Sequence, residues 1–134
     1  MHDWLTGLVA TPIKEDPDFE AALALLPALP PDAVHARLEE RAERLDVELA
    51  QARAAREVAQ KRQVPRLLWI EREFHVALLE AELGFVRTLA EDIATGTLDG
   101  LDWWRALHDE PVAATPVTAG RAGDQQDRET EKER

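Results

Sequence analysis

The residues best suited to do chemistry in this chain are Glu71, His75 and Glu82. Glu71 and His75 stand four apart, so on a helix they share one side and can hold one ligand between them. A di-iron helical site uses a Glu-x-x-His pair, but Arg72 stands three residues before His75. The four histidines are far apart in sequence, and the chain has no cysteine, which excludes disulfides and thiolate metal sites. Phosphate loops, dinucleotide fingerprints and nucleophile elbows do not occur. The expectation is a protein that is not an enzyme and has no catalytic residues, metal or cofactor. Polar groups lying between apolar seams need partners when buried, and arginines of a neighbouring helix, such as Arg41 or Arg56, would supply them. The alternative is a ligand pocket in which Trp69, Trp103 and Trp104 form aromatic walls and Glu71 and His75 the polar anchor for a small aromatic molecule.

These residues sit on, or next to, one long predicted helix, Leu67 to Ile93. On a wheel of about 100° per residue it carries two apolar seams. One is Ile70, Phe74, Ala77, Leu78, Ala81 and Phe85; the other is Leu68, Trp69, Val76, Leu79, Leu83 and Val86. Two stripes call for two neighbours.

The first neighbour precedes it. From about Asp32 to Gln63 a single stripe runs through Val34, Leu38, Ala42, Leu45, Leu49, Ala52 and Ala59, and the remaining faces are charged. Val64-Pro65 interrupts the pattern, because proline disfavours helical backbone before it and breaks a helix at a cost of about 3 kcal/mol. A turn there makes an antiparallel hairpin of two long helices. Short helices flank it: residues 3 to 10; Pro17 to about Leu26 with Asp16 as cap; and a segment after Gly96 with Leu101, Trp104 and Leu107 inward. The fold class expected is all-α, a long helical hairpin with short flanking helices in a dimeric, coiled-coil-like or bundle assembly. Residues 1–110 form the domain, and 111–134 read as a disordered charged tail.

One stripe of the first long helix covers one seam of the second. The seam left over predicts a second copy of the chain, with Leu68, Trp69, Val76, Leu79, Leu83 and Val86 as the interface. With 134 residues one domain is expected, and a net charge of −11 opposes direct contact with nucleic acid. Neither a signal peptide nor an apolar run of about 18 residues is present, so a cytoplasmic protein without membrane contact is expected.

The run DWLTGLVATPIKEDPDFEAALALLPALPPDAVHARLEERAERLDVELA, followed by VPRLLWIEREFHVALLEAELGFVRTLAEDI, resembles the C-terminal domain of PadR-family transcription regulators. The likeness rests on the order of four features: the tryptophan-leucine start, the TP…PDFEAALALLP…LPPD run, the charged leucine helix, and the proline-led second helix. It spans roughly residues 3 to 104. The resemblance implies a mostly helical homodimerising domain that follows a DNA-reading winged helix and in some members helps sense small, often aromatic, ligands. No winged helix precedes Trp4, so no DNA-binding residue carries over. Either the start is internal to a longer gene or the protein stands alone, pairing with itself or with a full-length relative. Two other functional classes remain open: a stand-alone helical scaffold or partner-binding protein, and a small-molecule-binding bundle.

Overall fold

A computed structural model describes residues 2–12 and 17–109. Every element among the described residues is helical: α1 His2–Ala10, α2 Pro17–Ala24, a 3-10 turn Leu26–Ala28, α3 Pro31–Lys61, a 3-10 turn Arg66–Leu68, α4 Ile70–Thr95 and α5 Leu101–Asp109. None of these helices is long and apolar enough to cross a membrane. The all-α expectation holds, and the two long helices pack along each other. Asp16, expected to cap α2, and the expected tail at 111–134 lie outside the described residues.

α3 starts at Pro31, a first helical position where the missing N–H costs nothing. Val34, Leu38, Leu45 and Leu49 are buried, and Ala42 and Ala52 pack beside them. From Leu38 onward the spacing alternates four and three, the heptad of a coiled-coil seam. At the far end Gln63 adopts φ 57°. The Gln63 N–H donates to the Gln60 carbonyl and the Val64 N–H to the Ala59 carbonyl, both at 3.0 Å. These are the two bonds of a Schellman stop, made here around a residue other than glycine.

The chain then reverses rather than kinks. Trp69 Nε1 donates to the Val64 carbonyl at 3.0 Å, and Arg66 grips Glu73 through two hydrogen bonds of 2.7 and 2.9 Å. α4 begins at Ile70, three residues later than its apolar pattern, because 66–68 form a 3-10 turn. With 31 and 26 residues, the long helices run about 46 and 39 Å at ~1.5 Å per residue.

Ion pairs along both edges give the register. Arg41–Glu82 and Glu48–His75 line one edge; Asp46–Arg87 and Arg53–Glu80 line the other. On each edge a step of seven forward along α3 matches a step of seven back along α4. Midway between the edges, Leu38 comes level with Ala90, Leu45 with Leu83, Leu49 with Leu79 and Ala52 with Val76. All of these belong to one core.

Gly96 stops α4 in the left-handed conformation, φ 78°, as its position predicts. α5 folds back so that Leu101 and Trp104 close the end of the seam, and Trp104 Nε1 donates to the Leu29 carbonyl at 2.8 Å. Leu107, expected inside, is half exposed. His108 instead faces the chain, with Nε2 2.9 Å from the Pro27 carbonyl oxygen. α2 ends at Ala24, short of the expected Leu26, where the chain tightens into a 3-10 turn containing Pro27. α1 is exposed along its whole length.

A left-handed glutamine carries a steric cost of about 1–2 kcal/mol that glycine avoids, offset in part by the greater freedom of glycine in the unfolded chain. Gln63→Gly should therefore raise the unfolding free energy by up to about 1 kcal/mol in a urea titration. A fall of similar size would mean that the glutamine side chain, not the backbone, sets this turn.

Candidate functional site: an open helix face and an adjoining groove

The two seams of α4 exchange the roles expected of them. Val76, Leu79, Leu83 and Val86 are buried inside the hairpin, Val86 completely, so they are not an interface with another molecule. Leu68 is exposed but sits in the 3-10 turn, and Trp69 is half-buried against its own turn. The open face is the other seam: Ile70, Phe74, Leu78 and Phe85 are 48, 57, 45 and 53 % exposed. The reason is register. Val76, Leu79, Leu83, Val86, Ala90 and Ile93 repeat by three and four without a break, as the α3 stripe does, whereas the seam beginning at Ile70 reaches only Phe85.

Two of the three polar residues between the seams find partners, while Glu71 is exposed. Glu82 accepts a hydrogen bond from Arg41, one of the two arginines expected, while His75 lies 3.7 Å from Glu48. Arg56 does not bond to this line; behind the Arg66 hydrogen bond, its charge adds to the lowering of the Glu73 pKa. Glu71 and His75 share a cleft of about 400 Å³ with Ala52 and Arg72.

The expected aromatic pocket does not assemble. Trp69 stands at the start of α4, and Trp103 and Trp104 lie beyond its end, about 39 Å of helix away. Trp104 is buried, with its N–H bonded to Leu29, and Trp103 is exposed. The spacing of Trp103 and Trp104 had already set them on different faces; their separation from Trp69 follows from the length of the helix between them. Among the described residues no three histidine, aspartate or glutamate side chains converge as a metal-holding group.

A different concavity forms where α2 lies across the hairpin. It has a volume of about 610 Å³ and is walled by Phe19, Leu23, Leu26, Leu38, Leu45 and Leu79. Arg37, Glu40, Arg44 and Glu48 also line it, and Arg41 and Glu82 bond to each other across it. The Arg41 guanidinium stacks 3.7 Å above the Phe19 ring while bonding to Glu82, so one cation ties α2 to both long helices. The sequence signal for this groove is the Phe19-Leu23-Leu26 spacing, which marks an inward face without saying what it faces.

No family model, curated protein or solved structure matches the chain. Its functional reading therefore rests on the open face, the groove and the order of its sequence features.

The border of the open face is neutralised from within. The hydrogen bonds from Arg66 hold the Glu73 carboxyl below the ordinary 4.5. On α3, Glu40 is likewise lowered, first by its hydrogen bond from Arg37 and then by the charge of Arg44. For a carboxyl with a depressed folded value, the stabilising effect is present above the unfolded pKa and lost as pH falls through the folded one. The Arg66–Glu73 clasp should thus persist at neutral pH and open only in acid, below 4.5. In an NMR titration, Arg66→Ala should move the Glu73 midpoint upward, toward the ordinary value. An unchanged midpoint would show that the clasp does not form in solution.

Proposed function

We propose that the chain is the dimerisation and effector-responsive domain of a PadR-like transcription regulator, acting in the cytoplasm. One observation carries the reading. In an antiparallel coiled-coil hairpin the outward positions of both helices ordinarily meet water and are polar. α3 largely obeys, with Glu40, Glu43 and Arg44 outward and exposed or half-exposed, although Val47 and Val58 are also 60 and 48 % exposed. α4 does not, since Ile70, Phe74, Leu78 and Phe85 face away from the core. Half of the roughly 200 Å² of each such side chain gives about 400 Å² of apolar patch per molecule, comparable with the largest patch of a typical monomer, which is often functional.

A second copy is the partner best suited to that face. Two patches contribute about 800 Å², and the small residues between the large ones bring the pair above the ~1,000 Å² of a specific interface. α1 adds Trp4, Leu5, Leu8 and Val9, all exposed. Operator recognition, in this reading, belongs to a winged helix carried by the same gene or by a full-length relative paired with this chain. The order of features from Trp4 to the end of α4 supports the PadR assignment.

Light scattering at micromolar concentration should give twice the 15.0 kDa chain mass. Phe74→Glu combined with Leu78→Glu would place unpaired charge in the interface, at a cost of several kcal/mol. Association should weaken by at least about 100-fold with helical circular dichroism retained. A monomeric wild type at these concentrations would overturn the proposal.

The groove favours a second role within the same reading, the binding of a small apolar molecule. Its volume falls in the about 300–1,000 Å³ range of ligand sites, and its apolar wall is bordered by charged residues, of which Arg41 and Glu82 bond to each other. Leu29 lines the groove and holds Trp104 through its carbonyl. Planar aromatic compounds entering the groove should therefore change tryptophan fluorescence saturably, and Leu45→Trp, which fills the groove, should abolish the response. A panel of such compounds giving no saturable change would remove the ligand role and leave the dimer.

A further inference from the structure

The dimer proposed above has a definite arrangement, and a glycine inside α4 points to it. Gly84 is exposed, is absent from the glycines with positive φ, and has nothing within 4 Å of where a Cβ would stand. Glycine inside a helix is destabilising relative to alanine, and nothing within this chain requires it there. It lies on the open side of α4, ten residues from Phe74, the most exposed large side chain of that face.

We infer that two copies pair α4 against α4 in antiparallel fashion, with Phe74 of each seated over the partner's Gly84. This inference rests on the dimer reading and specifies its geometry. The outward residues Ile70, Phe74, Ala77, Ala81, Gly84 and Thr88 repeat by four and three, a second heptad frame facing away from the one packed on α3. In the antiparallel register Ile70 meets the partner's Thr88, Phe74 the partner's Gly84, and Ala77 the partner's Ala81. Every layer then matches a large residue with a small one or a small with a small, so the helices approach closely without a void. The two-fold axis passes at the level of Leu79.

Other arrangements are worse on the same residues. Sliding one heptad in one direction sets Phe74 against the partner's Glu91. Sliding in the other carries Thr88 past the start of α4 to the turn around Gln63. A parallel pair would stack Phe74 on Phe74 and leave a gap at Gly84.

Charge fits the antiparallel register as well. None of the six layer residues is ionisable. On one border Leu78 and Phe85 of both copies meet. On the other the two Glu80 side chains approach the axis, and each is already held by Arg53 of its own chain at 3.0 Å, as Glu73 is by Arg66. A chain of net charge −11 can associate along this border because Glu73 and Glu80 there are paired internally.

The test is Gly84→Leu, measured by sedimentation equilibrium and by thermal unfolding at high dilution. Leucine is the better helix former, so the dilute protein should melt no lower than the wild type, and its dimer should dissociate at least ten-fold more readily. Adding Phe74→Ala should restore part of the lost affinity by returning the bulk removed. The chain has no cysteine of its own, so cross-linking is clean: Ala77→Cys mixed with Ala81→Cys should form the disulfide heterodimer in preference to either homodimer. A dimeric wild type indifferent to Gly84→Leu, or single cysteines that link mainly to themselves, would overturn the register while leaving the dimer standing. A monomeric wild type would overturn both.

Discussion

The seam between α3 and α4 is the contact on which the rest of this structure depends. Its spacing by threes and fours makes it narrow: a heptad seam occupies about a third of the positions of a helix. Leu38, Leu45 and Leu49 from one side and Val76, Leu79, Leu83 and Val86 from the other fill it. Ion pairs at heptad intervals close both edges. These half-exposed pairs are individually weak, yet each charge belongs to one register, and a slip by a single turn would separate all four together. The smaller elements follow. α5 caps one end with Leu101 and Trp104, and the Pro65 turn with Trp69 closes the other.

Much of this was legible in the order of residues. The α3 stripe, the reversal at Val64-Pro65 and the stop at Gly96 each come from a local rule and needed no tertiary information. The start of α4 was read three residues early because Leu67 and Leu68 continue the apolar pattern into a 3-10 turn. The choice of inner seam was not available from α4 alone, since Phe74 and Phe85 are as apolar as Val76 and Leu83. It becomes decidable when both helices are read together, because only the seam through Val76 and Ile93 stays apolar at every step of three or four, as the α3 stripe does. Hydrophobic content says that a face will be covered; periodicity shared with a neighbour says by what. The Phe19–Arg41 stack was out of reach for a related reason, because two residues on separate helices give no periodic signal. The left-handed Gln63 was hidden too, since glutamine carries no preference for that conformation.

Electrostatics acts here as a permissive condition. Carboxylates outnumber cations 27 to 16, which would ordinarily set copies of the chain to repel one another. Along α4 that excess is handled locally, with Glu73, Glu80 and Glu82 each taking an arginine from the turn or from α3. Arg41 and Arg53, which hold the hairpin in register, thus also neutralise carboxylates beside its open face. In the proposed dimer, hairpin stability and association would be coupled through Arg53, whose loss would unbalance both.

The position of α4 also bears on how a ligand could act. Leu79 and Glu82 contribute to the groove beneath α2, while Leu78 and Phe85, on the same helix, face outward. The helix is therefore a shared wall, a single rigid element with the groove on one side and the open face on the other. Arg41 reaches from α3 to both Phe19 and Glu82, so an occupant that displaced the Phe19 ring would disturb the contact holding α4 at that level. A packed seam transmits such a change as a shift of the whole helix, because its layers interlock and cannot yield singly. Coupling between the groove and the proposed interface would then need no separate relay, only the stiffness of α4 and the Arg41 contact with Phe19 and Glu82.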